Sequence, residues 1–349
     1  MATMTAALHD GKAMQIAEVA RPTAGPGDAV ILVRGAGICG SDLLIYSASS
    51  TPEKLPGGHE VAGEVIEVGQ GVDPSLKGRR VAVDTIAHGR ACAACWYCRM
   101  GQIKHCVNKG PGDGGGFAEW MKRRAIGFYP LPDSLSWEEG ALVEPLAVSV
   151  HAVRRGQMSS GETVVVLGAG NIGLTAVAAA RAMGAGKILV SARHEQQAVM
   201  AKRLGADEAL PSEGSALKEA VLDATDGRGA DMAIETVGGN SDATLKQSLQ
   251  VTRMQGRIVI LGGFRQPITM DWLPPLLEEQ SIIFSSCYSI IDGRHDFELA
   301  IDMMASGRVQ LKQIVTHKYP LEQIEKGFET AYDKSTGSIK VQILTDGAG

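Results

Sequence analysis

The chain has 349 residues, 44% of them apolar, with 39 acidic against 34 basic side chains and a formal net charge of −5. That length exceeds one ordinary core and predicts two domains, while the negative balance argues against a binder of the nucleic-acid phosphate backbone. The opening MATMTAALHDGKAMQIAEV has no basic start followed by an apolar core, and no apolar run is long enough to cross a bilayer, so the expectation is a cytoplasmic protein with neither membrane nor nucleic acid as partner.

The predicted elements fall into two patterns. Up to about residue 150, short β-type runs at 29–33, 61–68 and 80–83 alternate with turn signals, which predicts a compact, largely antiparallel body. Ser136 followed by Glu139 makes a capping box that opens a helix over 137–153; His151 on its apolar face reads as a core contact. From Glu162 the order is strand, glycine turn, helix, strand (ETVVVLG, GAGNIG, IGLTAVAAARAMGA, KILVSA), a βαβ unit, and further buried-type strands follow at 231–236 and 257–261. A parallel sheet with helices on its faces is the natural architecture. Residues 272–277, with Pro274 and Pro275 between apolar neighbours, read either as an exposed edge that forms a subunit contact or as a buried edge strand. A helix near 296–306 and a strand near 339–344 complete the chain.

Cys92, Cys95, Cys98 and Cys106 form a CxxCxxCxxxxxxxC run. Thiolates this close repel unless a cation sits among them, and two-residue gaps let a loop wrap its sulfurs around Zn²⁺. Four protein sulfurs leave no open position, so this zinc is structural. Disulfides are the weaker reading in a chain without a secretory leader.

Gly168, Gly170 and Gly173 make GxGxxG between a strand and a helix. The first glycine permits the tight turn, the second the approach of a pyrophosphate, the third close helix packing, and the first helical amides, with Asn171 and Ile172, face the anion. An NAD-selective site ends its second strand in Asp or Glu, but here Ser191, Ala192 and Arg193 stand there and no acid occurs before Glu195. Ala192 leaves room for a 2′-phosphate, Arg193 can pair with it and Ser191 can donate to it, so NADP(H) is favoured over NAD(H).

A second, open metal set is spread over GICGSD at 37–42 and GHExxGxxxxxGxxV from Gly58. Cys39 and His59 are two ligands, Glu60 or Glu144 supplies a third, and Asp42 can take the other ring proton of His59. These motifs, with the four-cysteine run, EPLAV at 144–148 and GAGNIG, occur in the order of the zinc-dependent medium-chain alcohol dehydrogenases, which the chain resembles over nearly its full length. WEEGALVEPLAVSVHA most resembles the sorbitol, or polyol, dehydrogenase branch, with threonine and butanediol dehydrogenases as near relatives.

The resemblance implies an α/β fold: a GroES-like, mainly β catalytic domain (1–150 and 286–349) and a Rossmann doubly wound parallel-sheet NADP-binding domain (151–285), with the active site in the cleft between them. It implies one catalytic zinc at Cys39, His59, Glu60 and Glu144, one structural zinc at the four-cysteine run, and a homodimer or homotetramer. Ser41 would pass the substrate's hydroxyl proton. Two departures bear on substrate. Leu44 replaces the histidine that forms the outer part of the family's proton relay, and Cys287 precedes Tyr288 where polyol dehydrogenases carry an arginine. Both make the site more apolar than a sugar alcohol would want. The expected activity is reversible hydride transfer between NADP(H) and a secondary or hydrophobic alcohol with its carbonyl partner. A polyol, butanediol or threonine dehydrogenase is the alternative, then a zinc-independent quinone or enoyl reductase, then a non-catalytic dinucleotide-binding zinc protein.

Overall fold

A computed structural model describes residues 2–48 and 50–345. The chain divides into two compact units, one of Met1–Glu144, Tyr288–Ser306 and Leu311–Gly349, the other of Pro145–Cys287 and Gly307–Gln310. The boundary falls inside the helix Trp137–Arg155, between Glu144 and Pro145.

The first unit is built on a seven-stranded sheet. Its order is Val315–Pro320, Lys340–Leu344, Asp28–Gly37, Glu60–Val68, Arg80–Asp84 and Phe128–Pro130, with Trp120–Arg124 also paired to Asp28–Gly37. All its pairings are antiparallel except that between Val315–Pro320 and Lys340–Leu344. β-Branched residues such as Ile31, Val33, Val61, Val65, Val81 and Val83 face a common core with Phe117, Phe128 and Phe328, as a pleated, half-buried surface favours. The first four residues of Glu60–Val68 are buried on both faces. Glu60, the candidate ligand that opens this strand, is therefore held inside the body.

The second unit carries six parallel strands in the order Glu208–Pro211, Lys187–Ala192, Thr163–Leu167, Ala230–Glu235, Thr252–Ile260 and Ser281–Phe284. In chain order that is 3-2-1-4-5-6, the doubly wound arrangement whose dinucleotide crevice lies where the strand order reverses. Val165, Leu167, Leu189, Ala233 and Ile258 fill its core. Among the described residues no helix is long and apolar enough to cross a membrane.

Residues 272–277, Pro275 apart, are exposed, as the first reading of the sequence expects, and are not the buried edge strand of the second. They form a short helix, Leu273–Leu277, because two prolines cannot donate to a strand ladder but fit a first helical turn, where their missing N–H groups have no partner to lose. Trp272, Leu273, Leu276 and Leu277 are all exposed.

The helix start is as the sequence predicts. Ser136 N–H and Oγ both donate to Glu139 Oε2 at 2.9 Å, and Glu139 N–H returns a 3.4 Å bond to Ser136 Oγ. Removing a cap of this kind costs about 1 kcal/mol. Ser136→Ala should lower the urea midpoint accordingly, and an unchanged midpoint would show that the cap does not hold this helix.

Candidate active site

Cys39 follows the strand Asp28–Gly37 and precedes the helix Gly40–Ala48, whose first turn carries Ser41 and Asp42. Asp42 Oδ2 accepts the Cys39 N–H at 2.9 Å, and the Cys39 carbonyl accepts the N–H groups of Asp42 and Leu43. The loop is thus locked to the helix start. His59 lies one residue before the strand Glu60–Val68, and its Nδ1 is 3.5 Å from Asp42 Oδ1. Cys39, His59 and Glu60 bring a sulfur, a ring nitrogen and a carboxylate oxygen all within 4.8 Å of one another. With Nδ1 turned to Asp42, Nε2 is the nitrogen left for an ion. Burial pushes the His59 pKa down, but hydrogen bonds to Asp42 and Cys39 and the Asp42 charge hold it well above the ordinary value. An ion bound here displaces that proton.

The decisive contact at this site comes from a residue the motifs do not name. Lys340, at the start of the strand Lys340–Leu344, is 1% exposed, and its Nζ donates to both oxygens of Glu60 at 2.7 Å and to the Ile38 carbonyl at 3.0 Å. Burial favours the neutral amine, yet the Glu60 carboxylate outweighs it and holds the Lys340 pKa above its usual value. Gly37 makes room for the pair: a Cβ there would lie 1.9 Å from Glu60 Oε2. The signal in the sequence was slight, a lone lysine between Ile339 and Val341 in an otherwise apolar strand.

Glu144 is 4% exposed but is not a member of the Cys39, His59, Glu60 cluster. Burial, with the charges of Glu60 and Asp84, raises its pKa to about 8 against the pull of His59 and Lys340. Its carboxyl group therefore holds a proton at neutral pH when no ion is near. Ser41 is exposed and makes no hydrogen bond among the described residues. Asp84, paired in register with Glu60, accepts the N–H groups of Ile86, Ala87 and His88, which turns the chain toward the cysteine run. Leu44 and Cys287 are half-buried, and Tyr288 is fully buried against Phe297, with 4.8 Å between ring centres.

Cys92, Cys95, Cys98 and Cys106 also form one cluster of donor atoms within 4.8 Å. All four are free thiols. Cys95 Sγ is 3.5 Å and Cys92 Sγ 4.0 Å from Cys98 Sγ, far beyond the ~2.0 Å of a disulfide and close to the ~3.8 Å edge of a tetrahedron with ~2.3 Å metal–sulfur bonds. N–H groups of Ala94 and Cys95 point at Cys92 Sγ and draw its pKa to about 6, while burial pushes Cys98 up to about 12. The loop amides thus favour thiolate at Cys92, whereas buried Cys98 favours the thiol until a cation is bound.

In the parallel-sheet unit, Gly168 has a left-handed φ of 96°, and a Cβ on Gly173 would lie 1.9 Å from the Gly168 carbonyl. The missing Cβ of Gly170 faces open space, as close approach by a ligand requires. Gly170 caps the helix Asn171–Ala182, and Ile172 and Asn171 lie in its first turn. Arg193 is exposed and makes no hydrogen bond or ion pair among the described residues; Ala192 is buried. Ser191 is placed differently from expectation. It is 1% exposed, and its Oγ accepts the Gly168 N–H at 2.9 Å. The side chain points under the turn because strand residues alternate faces, so it braces the glycine turn instead of reaching a phosphate.

Residues 25–133 match the alcohol dehydrogenase GroES-like domain and residues 171–306 the zinc-binding dehydrogenase family. The chain is 33% identical to sorbitol dehydrogenase of Bacillus subtilis over 97% of this chain and 96% of that protein. It is 35% identical to L-threonine 3-dehydrogenase of Pyrococcus horikoshii over 94% and 95%. A putative zinc-binding dehydrogenase from Sinorhizobium meliloti, solved bound to NADP, superposes with a TM-score of 0.86 at 27% identity, covering 99% of this chain and all of that one. The chain belongs to the zinc-dependent medium-chain alcohol dehydrogenases, on the sorbitol dehydrogenase branch, and is an oxidoreductase.

The Glu60–Lys340 pair yields a test. Taking one partner from a buried pair costs about 3–5 kcal/mol, whereas replacing both by apolar residues can be nearly neutral. Lys340→Met should therefore destabilise the chelator-treated protein by that amount and the zinc-loaded protein by less, because a cation then faces Glu60. The double variant K340M/E60L should regain most of the stability without regaining zinc at this site. Urea titrations with and without zinc check both, and equal losses in the two states would refute the electrostatic account.

Proposed function

We propose that the chain catalyses reversible hydride transfer between NADP(H) and a secondary or hydrophobic alcohol with its carbonyl partner. The reading rests above all on the convergence of Cys39, His59 and Glu60. These residues would hold a catalytic zinc, with Glu144 exchanging with water beside it, and the cysteine run a structural zinc. A divalent cation there supplies a Lewis acid, lowering the pKa of an alcohol and polarising a carbonyl. The first unit supplies the chemistry and the parallel-sheet unit the coenzyme site, on Gly168, Gly170, Asn171, Ile172, Gly173 and Arg193.

The roles of the side chains follow from their environments. Asp42 fixes the His59 ring, and Lys340 holds Glu60 in place through both carboxylate oxygens. Glu144, whose pKa near 8 lies in the working range, can accept or return a proton at its carboxyl oxygen. Ser41, exposed at the helix start, can pass the hydroxyl proton of a substrate by accepting it as its own hydroxyl proton leaves to solvent water. Leu44, in place of a second relay group, favours an apolar substrate, as does Cys287 in place of a hydroxyl-binding arginine. The relatives named for sorbitol and L-threonine keep a polyol or amino alcohol as the competing substrate class.

NADP(H) is supported by the unpaired Arg193 and by the absence of an acid at the end of Lys187–Ala192; structural neighbours are solved with either coenzyme, one bound to NADP and one to NADH. Six free cysteines suit a reducing cytoplasm. Strand Ser281–Phe284 ends the sheet without a charged residue, and Phe284 and the adjacent helix Leu273–Leu277 expose apolar side chains. Such an edge calls for cover, which a second copy in a homodimer or homotetramer would give.

Two measurements test the reading. Metal analysis should find one zinc for each set, with Cys39→Ser plus His59→Ala losing one zinc and all turnover of an alcohol panel. Full turnover by that variant would refute it. Initial rates should favour NADP⁺ over NAD⁺, and Arg193→Glu should lower kcat/KM for NADP⁺ by about 10–100-fold, the worth of one or two hydrogen bonds to a charged group. A preference of the unaltered enzyme for NAD⁺ would overturn the Arg193 argument alone.

A further inference from the structure

We propose that His9 is a positioning residue for the metal site, fixing Asp42, and through it His59, by way of a bound water molecule. The proposal rests on the reading of Cys39, His59 and Glu60 as a metal set.

His9 ends the strand Thr3–His9 and is 1% exposed. Its Nδ1 accepts the Gly11 N–H at 3.3 Å, so a neutral ring carries its proton on Nε2. That Nε2 is buried and has no hydrogen-bond partner among the described residues. A buried donor is seldom left unsatisfied by protein and water together. His9 and Asp42 line one small, partly open cavity of about 30 Å³ with Tyr46, Glu53, Phe117 and Phe328. The space holds about one or two waters, and in a mainly apolar lining His9, Asp42 and Glu53 are the polar groups that can hold them.

Asp42 is the acceptor with most to gain. Its Oδ2 takes the Cys39 N–H at 2.9 Å, but Oδ1 stands 3.5 Å from His59 Nδ1, longer than a firm hydrogen bond. An ionised carboxylate has about four acceptor positions, so these contacts leave Asp42 with acceptor capacity to spare. Tyr46 already donates to Glu325 at 2.8 Å, and Glu53 accepts the His9 backbone N–H at 3.2 Å through Oε2, so Asp42 and Glu53 Oε1 are the acceptors left, of which Asp42 is the one that meets His59. A water that accepts from His9 Nε2 and donates to Asp42 tightens the hold on the carboxylate and keeps Oδ1 presented to His59. Tyr46 packs edge-on to the His9 ring at 5.7 Å and holds its plane. The N-terminal hairpin is thereby tied to a metal ligand that it does not touch.

The test compares His9→Phe, which keeps a ring without the N–H, with His9→Gln, which keeps an N–H at the far end of the side chain. Groups that orient a metal ligand change affinity by about 10–100-fold when lost. In the zinc-loaded full chain, H9F should release the zinc outside the cysteine run to a chelator with about 10–100-fold weaker affinity. The visible spectrum of its cobalt-substituted form should shift, while H9Q retains most of the wild-type affinity and spectrum. Zinc affinity and cobalt spectrum unchanged in H9F would overturn the proposal. So would a crystal structure of the unaltered holoenzyme with no water between His9 Nε2 and Asp42, a measurement that decides the matter even if H9F does not fold. Cys39→Ser serves as the control: its loss of the same zinc keeps the metal-set reading, so that a silent H9F counts against His9 alone, whereas C39S with undiminished zinc removes the metal set itself.

Discussion

The first unit depends on keeping negative charge inside a protein core. Cys39, Glu60, Asp84 and Glu144 gather around one imidazole and one ammonium group, with Glu60 and Asp84 wholly buried. Carboxylates withdrawn from water either take up protons or find cations. Both outcomes occur side by side: Glu60 has found a cation in Lys340, which reaches both of its oxygens, while Glu144, which receives no such bond, is pushed to about 8. The site is therefore poised for a divalent ion, which relieves the repulsion that the fold imposes.

The two metal sets reach this condition by different means. The cysteine run is built by a loop whose own amides point at sulfur, so its preference for thiolate is local, and the residues that make it lie within fifteen positions. The Cys39 set is built by strands. Glu60 is fixed by sheet register against Gly37 and Asp84, and the pair it forms spans 280 residues of sequence. A loop site can form early and hold a lobe together; a strand site exists only once distant strands have met, which suits a centre whose geometry must not drift during chemistry.

This contrast explains what could be read from the sequence. The glycine turn, the capping box, the cysteine spacing and the parallel strands are short-range patterns, and the structure holds each of them, although the strand expected at 257–261 begins five residues earlier, at Thr252. Lys340 and His9 escaped because a lysine in a strand and a histidine at a strand end carry no spacing signal; only the pairing of Lys340–Leu344 with Asp28–Gly37 brings the ammonium to Glu60. Ser191 was misjudged through strand alternation, since one step of register decides whether a hydroxyl faces a ligand or the turn above it. At 272–277 hydrophobicity alone permits a buried edge strand, and the two prolines decide instead for a short exposed helix.

The position of Lys340 also constrains how the site assembles. Its strand lies between Asp28–Gly37 and Val315–Pro320, so it docks only after a loop of some three hundred residues has closed, a slow step among non-local pairings. Until then Glu60 has no counter-charge, and burying it beside Asp84 is unfavourable. Either the strand Glu60–Val68 waits half-formed, or a metal ion at Cys39 and His59 stands in for the lysine. On either route the buried pair of Glu60 and Lys340 closes last, and the candidate ligands Cys39, His59 and Glu60 take their final places only with it.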